Sequence, residues 1–392
     1  MKILHIAPDD KFIPFIQDAF DAVWSGCNKF VIFRNKSTER WKFVRSNENT
    51  TVGSIYYFLS NLLKKDLAWC DILIIHFMTD LSAYAIKEAP FNLPVIWSGW
   101  GADYYKLIIS SEEDLLLSET KKIINKMKNN QENKTEFWGK YSQRVRKTIR
   151  NFLFYKKELD ILNRIDYFSS PIPQDYELLK QAIPELRTNY IQLNYGSIEK
   201  TFLAGIDLDK FYKPRGKDIL VGNSATSANN HIDAFELLRN INIGEAKIIV
   251  PLSYGNEDYK IKIIEIGKNI FGEKFVPLID FLPLDKYNSI VLNCSVALMN
   301  HRRQQGLGNI LSSMYGGARL LLREENPIFS YIKQRGGIVD SIEKLSKDNC
   351  KLDKSLTPEE IIRNKEFVER DWSHCVVLEN IRKLSFLTPR QI

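Results

Sequence analysis

Short apolar segments and longer amphipathic segments alternate along most of the chain. The apolar segments are rich in Ile, Val, Phe and Tyr, which is typical of strands that are buried on both faces of a parallel sheet. Stretches between them, such as Ile55–Lys65, carry the spacing of an amphipathic helix. This alternation predicts an α/β fold built from βαβ units. In the first half the predicted strands are Lys2–Ala7, Lys29–Arg34, Asp71–Phe77, Leu93–Ser98, Asp166–Ser170 and Asn189–Leu193.

Residues 205–217 interrupt this pattern with a polar segment that contains Pro and Gly, so they predict a linker. The alternation then restarts. The predicted strands of the second half are Asp218–Gly222, Ala246–Pro251, Lys274–Ile279, Val296–Asn300, Arg319–Leu322 and Gly337–Val339. The predicted helices are His231–Arg239, Glu257–Ile270, Leu284–Leu292, Asn309–Tyr315 and Pro327–Gln334.

The pattern as a whole therefore predicts two doubly wound, Rossmann-like domains, residues 1–204 and 218–357, followed by a helical region over 358–392. Ligands of such sheets bind beyond the carboxyl ends of the strands, often near helix N-termini, and two such domains predict a cleft between them.

The bulk composition limits the class of protein. The chain has 392 residues, of which 44% are hydrophobic and 26% are charged, and these values fit a globular protein of two domains. The short apolar run at the start indicates a first strand, and no apolar window is long enough to span a bilayer. The five cysteines are scattered, so a disulfide framework and a zinc site are disfavoured, and we expect a reducing, cytoplasmic location.

The net charge of +7 is concentrated in residues 121–157, which contain twelve Lys or Arg and two Glu. On a helix, Lys140, Arg144, Lys147 and Arg150 would flank an apolar stripe. Such a helix can lie on an anionic membrane surface, where each basic residue contributes about 1 kcal/mol. Nucleic-acid binding, or a solvated helix that packs one stripe on its domain, is the alternative interpretation of this segment.

Three polar loops follow predicted strands of the second half. In residues 222–231, small residues lead into a helix start, whose free backbone N–H groups could bind a phosphate. A simple strand–loop–helix connection with capping residues has the same pattern. Residues 300–309 contain Arg302 and Arg303, whose guanidinium groups could neutralise a diphosphate, against the alternative of a solvated basic turn. Residues 323–327 offer a carboxylate for a sugar or ribose diol, or an ordinary helix cap with Pro at the first helical position.

The first half offers an aromatic loop, Trp97–Tyr105, at the end of a predicted strand. Aromatic faces suit sugar rings, and Asp103 could remove a proton from an acceptor hydroxyl. His76 and Asp10 are rival bases at the ends of neighbouring strands. A packed aromatic corner with a capping Asp103 is the structural alternative, and a lone His is more often structural than catalytic.

No GxGxxG sequence follows the first strand and no GxxxxGK[ST] sequence occurs, which disfavours a nicotinamide cofactor and ATP-type phosphoryl transfer. The strings ILVGNS with a following N-x-H, IVPxxYG, RQQGxGN, REENP and W-x-x-WGADYY together resemble the 4-acetamido-4,6-dideoxygalactose (Fuc4NAc) transferases of glycosyltransferase family 56. The resemblance is densest from Asp218 to Phe329. The segment around Ser111–Lys157 is longer than the family pattern.

This resemblance implies a GT-B fold, peripheral attachment to the cytoplasmic face of the inner membrane, and transfer of Fuc4NAc from a TDP-sugar to a polyprenyl-diphosphate-linked saccharide. It implies no metal, no other cofactor and no nucleic-acid partner. The matching donor-side residues are Gly222, Asn223, Ser224, His231, Pro251, Tyr254, Gly255, Arg303, Gln304, Gln305, Gly306, Gly308, Asn309, Glu325 and Asn326. The matching acceptor-side residues are Trp97, Trp100, Gly101, Ala102, Asp103 and Tyr104.

Two other functions remain open from the sequence. A GT-B-like sugar-nucleotide epimerase would share the two domains and the diphosphate site but would need no membrane. A non-catalytic nucleotide-sugar or nucleic-acid binding protein would use the basic segment for binding alone.

Overall fold

The computed structural model describes residues 1–33, 41–132, 159–208, 216–347, 352 and 354–387. These residues group into two compact units. The first lies within Met1–Ile109, Glu136–Gly196 and His374–Ile392, and the second within Ser110–Thr135 and Ser197–Ser373. The four basic residues predicted to meet a membrane, Lys140, Arg144, Lys147 and Arg150, fall outside the described residues. Among the described residues, no helix is long and apolar enough to cross a bilayer.

The first unit is built around a parallel sheet with the strand order β3-β2-β1-β4-β5-β6-β7. Its strands are β1 (Ile3–Pro8), β2 (Asn28–Phe33), β3 (Thr50–Gly53), β4 (Ile72–His76), β5 (Val95–Ser98), β6 (Tyr167–Ser169) and β7 (Asn189–Tyr190). Its helices are α1 (Ile13–Val23), α2 (Ile55–Leu59), α3 (Asn61–Trp69), α4 (Asp80–Glu88), α5 (Tyr105–Ile108), α7 (Pro173–Ala182) and α15 (His374–Arg382). The helix α6 (Ser118–Glu132) precedes α7 in the chain and belongs to the second unit.

The second unit contains a parallel sheet with the order β10-β9-β8-β11-β12-β13. Its strands are β8 (Asp218–Val221), β9 (Ile248–Pro251), β10 (Phe275–Leu278), β11 (Cys294–Met299), β12 (Arg319–Leu322) and β13 (Asp340–Ser341). Its further helices are α8 (His231–Arg239), α9 (Glu257–Phe271), α10 (Leu284–Asn293), α11 (Leu307–Tyr315), α12 (Pro327–Gln334), α13 (Ile342–Lys347) and α14 (Pro358–Trp372).

Both sheets are buried on both faces, which explains why their strands have continuous apolar sequences instead of alternating ones. In β4, every residue from Ile72 to His76 is buried. In β12, every residue from Arg319 to Leu322 is buried. The strand order of each sheet reverses direction next to its first strand, between β1 and β4 and between β8 and β11, and ligands of doubly wound sheets bind at such switch points.

The C-terminal helical region divides between the units. The helix α14 begins with a capping box in which the Thr357 side chain accepts from the Glu360 backbone N–H, and the Glu360 carboxylate accepts from the Thr357 N–H. It ends at Trp372, because Ser373 is extended, and α15 then packs against α1 of the first unit.

The sequence pattern predicts no strand over β3, and it predicts the last strand of the second sheet at Gly337–Val339 instead of Asp340–Ser341. Both observed strands are short, at four and two residues, and contain Thr, Gly, Asp or Ser. Their place in the sheets depends on pairing with β2 and with β12, and pairing partners leave no signature in a local hydrophobic pattern.

The loops after β8 and β9 touch at Ala225 and Gly255. Ala225 N–H donates to the Tyr254 carbonyl at 2.7 Å, and Asn256 N–H donates to the Ala225 carbonyl at 2.9 Å. Gly255 has a φ of +124°, and a Cβ added to it would lie 2.5 Å from the carbonyl carbon and oxygen of Ala225. Only glycine fits this backbone and this close approach.

We therefore expect Gly255→Ala to lower the free energy of unfolding by about 3 kcal/mol, from backbone strain and steric overlap together. The matched control is Gly244→Ala, because Gly244 also has a positive φ, +56°, but a Cβ there meets no atom within 4 Å. Gly244→Ala should lower the free energy of unfolding by about 1 kcal/mol. Urea denaturation of both variants gives the comparison, and equal losses would contradict the close-approach argument.

Candidate functional site

A network of polar side chains joins the loops that follow β8, β9 and β11 in the second unit. The Asn223 amide donates to the Tyr254 hydroxyl at 2.9 Å. The Gln305 amide donates to Asn223 Oδ1 and to Thr226 Oγ1, both at 3.0 Å. Residues that sequence matching placed on the donor side in three separate loops therefore lie together at the carboxyl edge of one sheet.

Asn229 lies at the centre of this network and is fully buried. Its Nδ2 donates to the Ser224 carbonyl at 2.9 Å and to Thr226 Oγ1 at 2.8 Å. Its Oδ1 accepts from the Asn223 backbone N–H at 2.9 Å and lies 2.8 Å from His301 Nε2. One side chain thus fixes the course of the loop after β8 and joins it to the loop after β11.

Two buried histidines support the same loops. Burial lowers the pKa of His301 to about 3, assisted by the charge of Arg303, and burial lowers the pKa of His231 to about 3. Both rings are therefore neutral at physiological pH. His231 contacts the Tyr259 hydroxyl through Nδ1, and a Cβ added at Gly222 would lie 2.8 Å from its Nε2. His231 supports Gly222 from inside the unit, which is a packing role.

The two guanidinium groups of the third loop have different surroundings. Arg302 donates from Nε to both carboxylate oxygens of Glu325 at 3.0 Å, and from Nη1 to the Asp114 carbonyl. Arg303 is half-buried and donates from Nη1 to the Gln304 carbonyl at 3.0 Å. Arg302 is therefore part of an ion-pair network, whereas Arg303 belongs to the loop that leads into α11.

Glu325 and Asn326 also have well-defined partners. Desolvation alone would raise the pKa of the Glu325 carboxyl, but hydrogen bonds from Arg302 and Arg323 hold this pKa below its usual value. Asn326 is fully buried, donates to the carbonyls of His301 and Arg303, and accepts from the Ile328 N–H as the cap of α12. Asn326 thus shapes the loop after β11 and has no exposed atom for a sugar.

The remaining residues that the sequence predicts on the donor side lie around this network. Gly306 caps α11 with a φ of +66°, and a Cβ there would lie 3.0 Å from Asn223 Cγ. Gly308 packs against Phe202, and Asn309 is hydrogen-bonded to the Tyr287 hydroxyl. Ser224 and Gln304 are buried, and Pro251 is the buried last residue of β9.

A segment that sequence analysis assigned to the first domain is anchored on the second unit. Asn230 has a φ of +51°, accepts from the Leu117 N–H at 2.8 Å and donates to the Leu115 carbonyl at 3.0 Å. The Asp233 carboxylate accepts from the N–H groups of Glu119 and Thr120 at the start of α6.

Sequence reasoning did not assign these anchoring roles, or those of Thr226, Asn229 and His301. The available signal was a set of polar residues immediately after buried strands. Their hydrogen-bond partners lie up to 115 positions away in the sequence.

In the first unit, Asp103 is almost completely buried. It accepts from the Met78 N–H at 3.0 Å, the Trp100 N–H at 2.9 Å and the Trp97 indole N–H at 2.9 Å. Burial raises its pKa, and these hydrogen bonds lower it in part. Asp103 therefore clamps two loops together, which is the structural alternative to a catalytic base.

His76 is also buried, and its Nε2 lies 3.0 Å from His5 Nδ1. Burial lowers the pKa of His76 to about 3. Asp10 differs from both, because it is only partly buried at the end of β1, where its carboxylate accepts from the Phe12 N–H. Desolvation raises the pKa of Asp10. Of the three candidate bases, Asp10 alone is accessible.

The aromatic residues predicted on the acceptor side also divide into buried and partly exposed ones. Trp97 and Tyr104 are core residues, and Tyr104 donates to the Asp175 carboxylate at 2.6 Å. Gly101 is buried with a φ of +102°, and Ala102 is exposed. Trp100 is half-buried and its ring lies 5.9 Å from Phe12 and 6.4 Å from Tyr195. Of the aromatic residues predicted on the acceptor side, Trp100 is the one that is partly exposed.

Comparison with solved structures places these two units in a known architecture. The chain superposes on Anabaena HepE in complex with UDP and glucose with a TM-score of 0.61, at 10% identity over 99% of this chain and 100% of that one. Sucrose-phosphate synthase from Thermosynechococcus elongatus matches with a TM-score of 0.60, at 10% identity over 98% of both chains. The fold is GT-B.

A trehalose 6-phosphate synthase from Burkholderia multivorans has the same fold, with a TM-score of 0.59 and 9% identity over the full length of both chains. Residues 203–351 match the model of a family described as 4-alpha-L-fucosyltransferase, glycosyl transferase group 56. This segment contains the whole polar network of the second unit. The family match on a GT-B fold supports a hexosyltransferase, as the sequence predicts.

The central position of Asn229 can be tested with an isosteric change. Asn229→Asp keeps an acceptor for the Asn223 N–H but turns a second oxygen toward the Ser224 carbonyl and buries a charge. We expect it to lower the free energy of unfolding by about 3 kcal/mol or more. Asn61→Asp is the control, because Asn61 is exposed at the first position of α3, where an Asp is tolerated. Thermal and urea unfolding that fail to separate the two variants would contradict the role of Asn229.

Proposed function

We propose that the chain transfers a 4-acetamido-4,6-dideoxyhexose, such as Fuc4NAc, from a TDP-sugar to a polyprenyl-diphosphate-linked saccharide at the membrane surface. The polar network of Asn223, Thr226, Tyr254 and Gln305 carries the donor part of this proposal. It lies at the switch point of the second sheet and within the segment that matches glycosyltransferase group 56. The solved HepE complexes contain UDP or UDP-glucose, which supports a nucleotide-sugar donor for this fold.

The diphosphate would bind between Arg303 and the start of α11. The helix α11 begins directly after Gly306, and the first N–H groups of a helix have no acceptor within that helix. As the bond to the sugar breaks, negative charge develops on the departing diphosphate. The guanidinium group and the oriented N–H groups would stabilise that charge, which is usually the largest catalytic contribution.

The sugar and nucleoside would contact the exposed part of the network. Tyr254 is 48% exposed and holds its hydroxyl against Asn223, so its ring can pack on a base or a sugar. Glu325 is exposed and ionised, and it can accept hydrogen bonds from a diol. Arg302 and Arg323 fix the orientation of this carboxylate.

On the acceptor side, Asp10 would remove the proton from the attacking hydroxyl, and Trp100 would pack on the acceptor sugar. Asp10 is the accessible one of the three candidate carboxylate and imidazole groups, and its raised pKa brings its basicity closer to that of an efficient base near neutral pH.

The donor can be identified by thermal shift with TDP-, UDP- and GDP-sugars, because a bound donor stabilises the folded chain. We expect the largest increase in Tm with a TDP-sugar, and no increase with any of the three would contradict the proposal. Transfer of the sugar, rather than interconversion of two nucleotide sugars, distinguishes the transferase from an epimerase.

Arg303→Ala should lower kcat/KM for transfer about 100-fold or more, because it removes charge stabilisation at the diphosphate. Arg239→Ala is the matched control, since Arg239 is an exposed arginine of the same unit that forms an ion pair with Glu236 one turn away. Steady-state transfer assays of both variants give the comparison. If Arg303→Ala keeps the activity of the wild type, Arg303 does not stabilise the departing diphosphate.

Asp10→Asn should lower kcat by about 10²–10⁴-fold. A base must be deprotonated, so wild-type kcat/KM should fall as the pH drops through the raised pKa of Asp10. The exposed Asp18 of α1 provides the control variant Asp18→Asn. A pH–rate profile of Asp10→Asn with the same acid limb and the same maximum as the wild type would exclude Asp10 as the base.

A further inference from the structure

An exposed apolar patch on the first unit is not used by the proposed site. It consists of Val52, Ile55, Tyr56, Leu59 and Leu62, which lie at the end of β3, on α2 and at the start of α3. The exposed fractions of Ile55, Tyr56 and Leu59 are 67%, 75% and 68%. Five neighbouring large apolar side chains in water indicate a surface that meets another apolar phase.

The packing of α2 does not require these residues to be apolar. The opposite side of this short helix is formed by Tyr57 and Phe58, both of which are 2% exposed and belong to the core of the first unit. Ser54 caps its start by accepting from the Tyr57 N–H. The helix is therefore apolar on its exposed side in addition to the side that anchors it, which is unusual for a helix at the surface of a water-soluble domain.

Positive charges lie next to the patch on the side of α3. A groove of about 520 Å³ beside it is lined by Tyr56, Leu59, Ser60, Asn61, Leu62 and Lys65, with no carboxylate among them. Lys64 and Lys65 are exposed. Two acidic residues lie equally near the patch in the sequence. Asp66 is buried and bonded to Lys29 and to the Tyr57 hydroxyl, whereas Glu48 is exposed and precedes Val52. Exposed apolar and aromatic side chains with lysines at their edge match the acyl and phosphate layers of an anionic bilayer.

The position of the patch agrees with this chemistry. The strands of this sheet are parallel, so α2, which begins two residues after β3 ends, starts at the same sheet edge as Asp10 and Trp100. A lipid-linked acceptor presents its sugar next to the headgroups of a bilayer. A bilayer contact at this edge would bring that sugar toward the acceptor-side residues.

We infer that the patch of Val52, Ile55, Tyr56, Leu59 and Leu62 docks on an anionic phospholipid bilayer, with Lys64 and Lys65 on its phosphates. The choice of this occupant rests on the proposed lipid-linked acceptor, in addition to the lysines and the absence of carboxylates along the groove.

The test is co-sedimentation of the full chain with phosphatidylcholine vesicles that contain about one third phosphatidylglycerol. The variant Ile55→Gln/Tyr56→Gln/Leu59→Gln should bind about tenfold or more weakly than the wild type, because three apolar side chains no longer enter the bilayer. The control Phe91→Gln/Ile261→Gln/Ile362→Gln removes three exposed apolar residues elsewhere and should bind as the wild type does. Lys64→Gln/Lys65→Gln should weaken vesicle binding at low salt. At high salt the difference in binding between this variant and the wild type should be smaller, because salt screens the lysine charges.

Equal binding by the patch variant and the wild type, or equal losses in the patch variant and the control, would overturn the inference. A wild-type dimer that the patch variant converts to a monomer would show that a second copy occupies the patch, and would overturn it as well. The thermal shift of each variant with TDP-sugar is measured in parallel. Loss of vesicle binding with a retained donor shift supports the inference, whereas vesicle binding by a chain that binds no donor leaves the patch supported and the proposed transferase contradicted.

Discussion

The buried hydrogen bonds of Asn229 determine the shape of the loops in which the donor site is proposed. Its amide and carbonyl reach four groups in two directions, along the loop after β8 and across to His301 after β11. An amide has both donors and an acceptor, so it can satisfy backbone groups of both kinds in a place where water is excluded. The positions of Asn223, Thr226 and Gln305 follow from that arrangement, and the site depends on their positions. Gly222, Gly255 and Gly306 have the conformations that allow these loops to approach one another closely.

Much of the fold follows from the sequence, and the reasons are local. The strands β1, β4, β8 and β11 are continuous apolar segments between amphipathic segments, and burial on both faces requires such segments. The grouping of Ser110–Thr135 with the second unit does not follow in this way. It depends on Asn230 and Asp233, which cap and bond backbone groups more than 100 positions away, and the residues that provide these bonds look like ordinary helix-start residues in the sequence.

In the candidate site, too, some features follow from the local sequence and others depend on contacts between distant segments. The sequence indicates which loops carry polar residues, because such residues follow buried strands directly, and the contacts among Asn223, Tyr254 and Gln305 show these loops together. It does not indicate which side chains are exposed. Asp103, His76, Trp97 and Tyr104 have the residue types of an acceptor site, but they are buried with partners of their own, whereas Asp10 and Trp100 are accessible. Burial depends on packing between segments, so exposure at a loop is decided by the tertiary structure.

The proposed function requires the loops held by Asn229 to bind a nucleotide sugar. Hydrogen–deuterium exchange of the full chain with and without TDP-sugar tests it most directly, because the backbone N–H groups of these loops would be covered by the ligand. We expect slower exchange in residues 222–226 and 306–310 on binding, and no change in α9 (Glu257–Phe271). If the TDP-sugar binds but exchange in both loops is unchanged, or is slowed in the first unit alone, the donor does not bind at these loops.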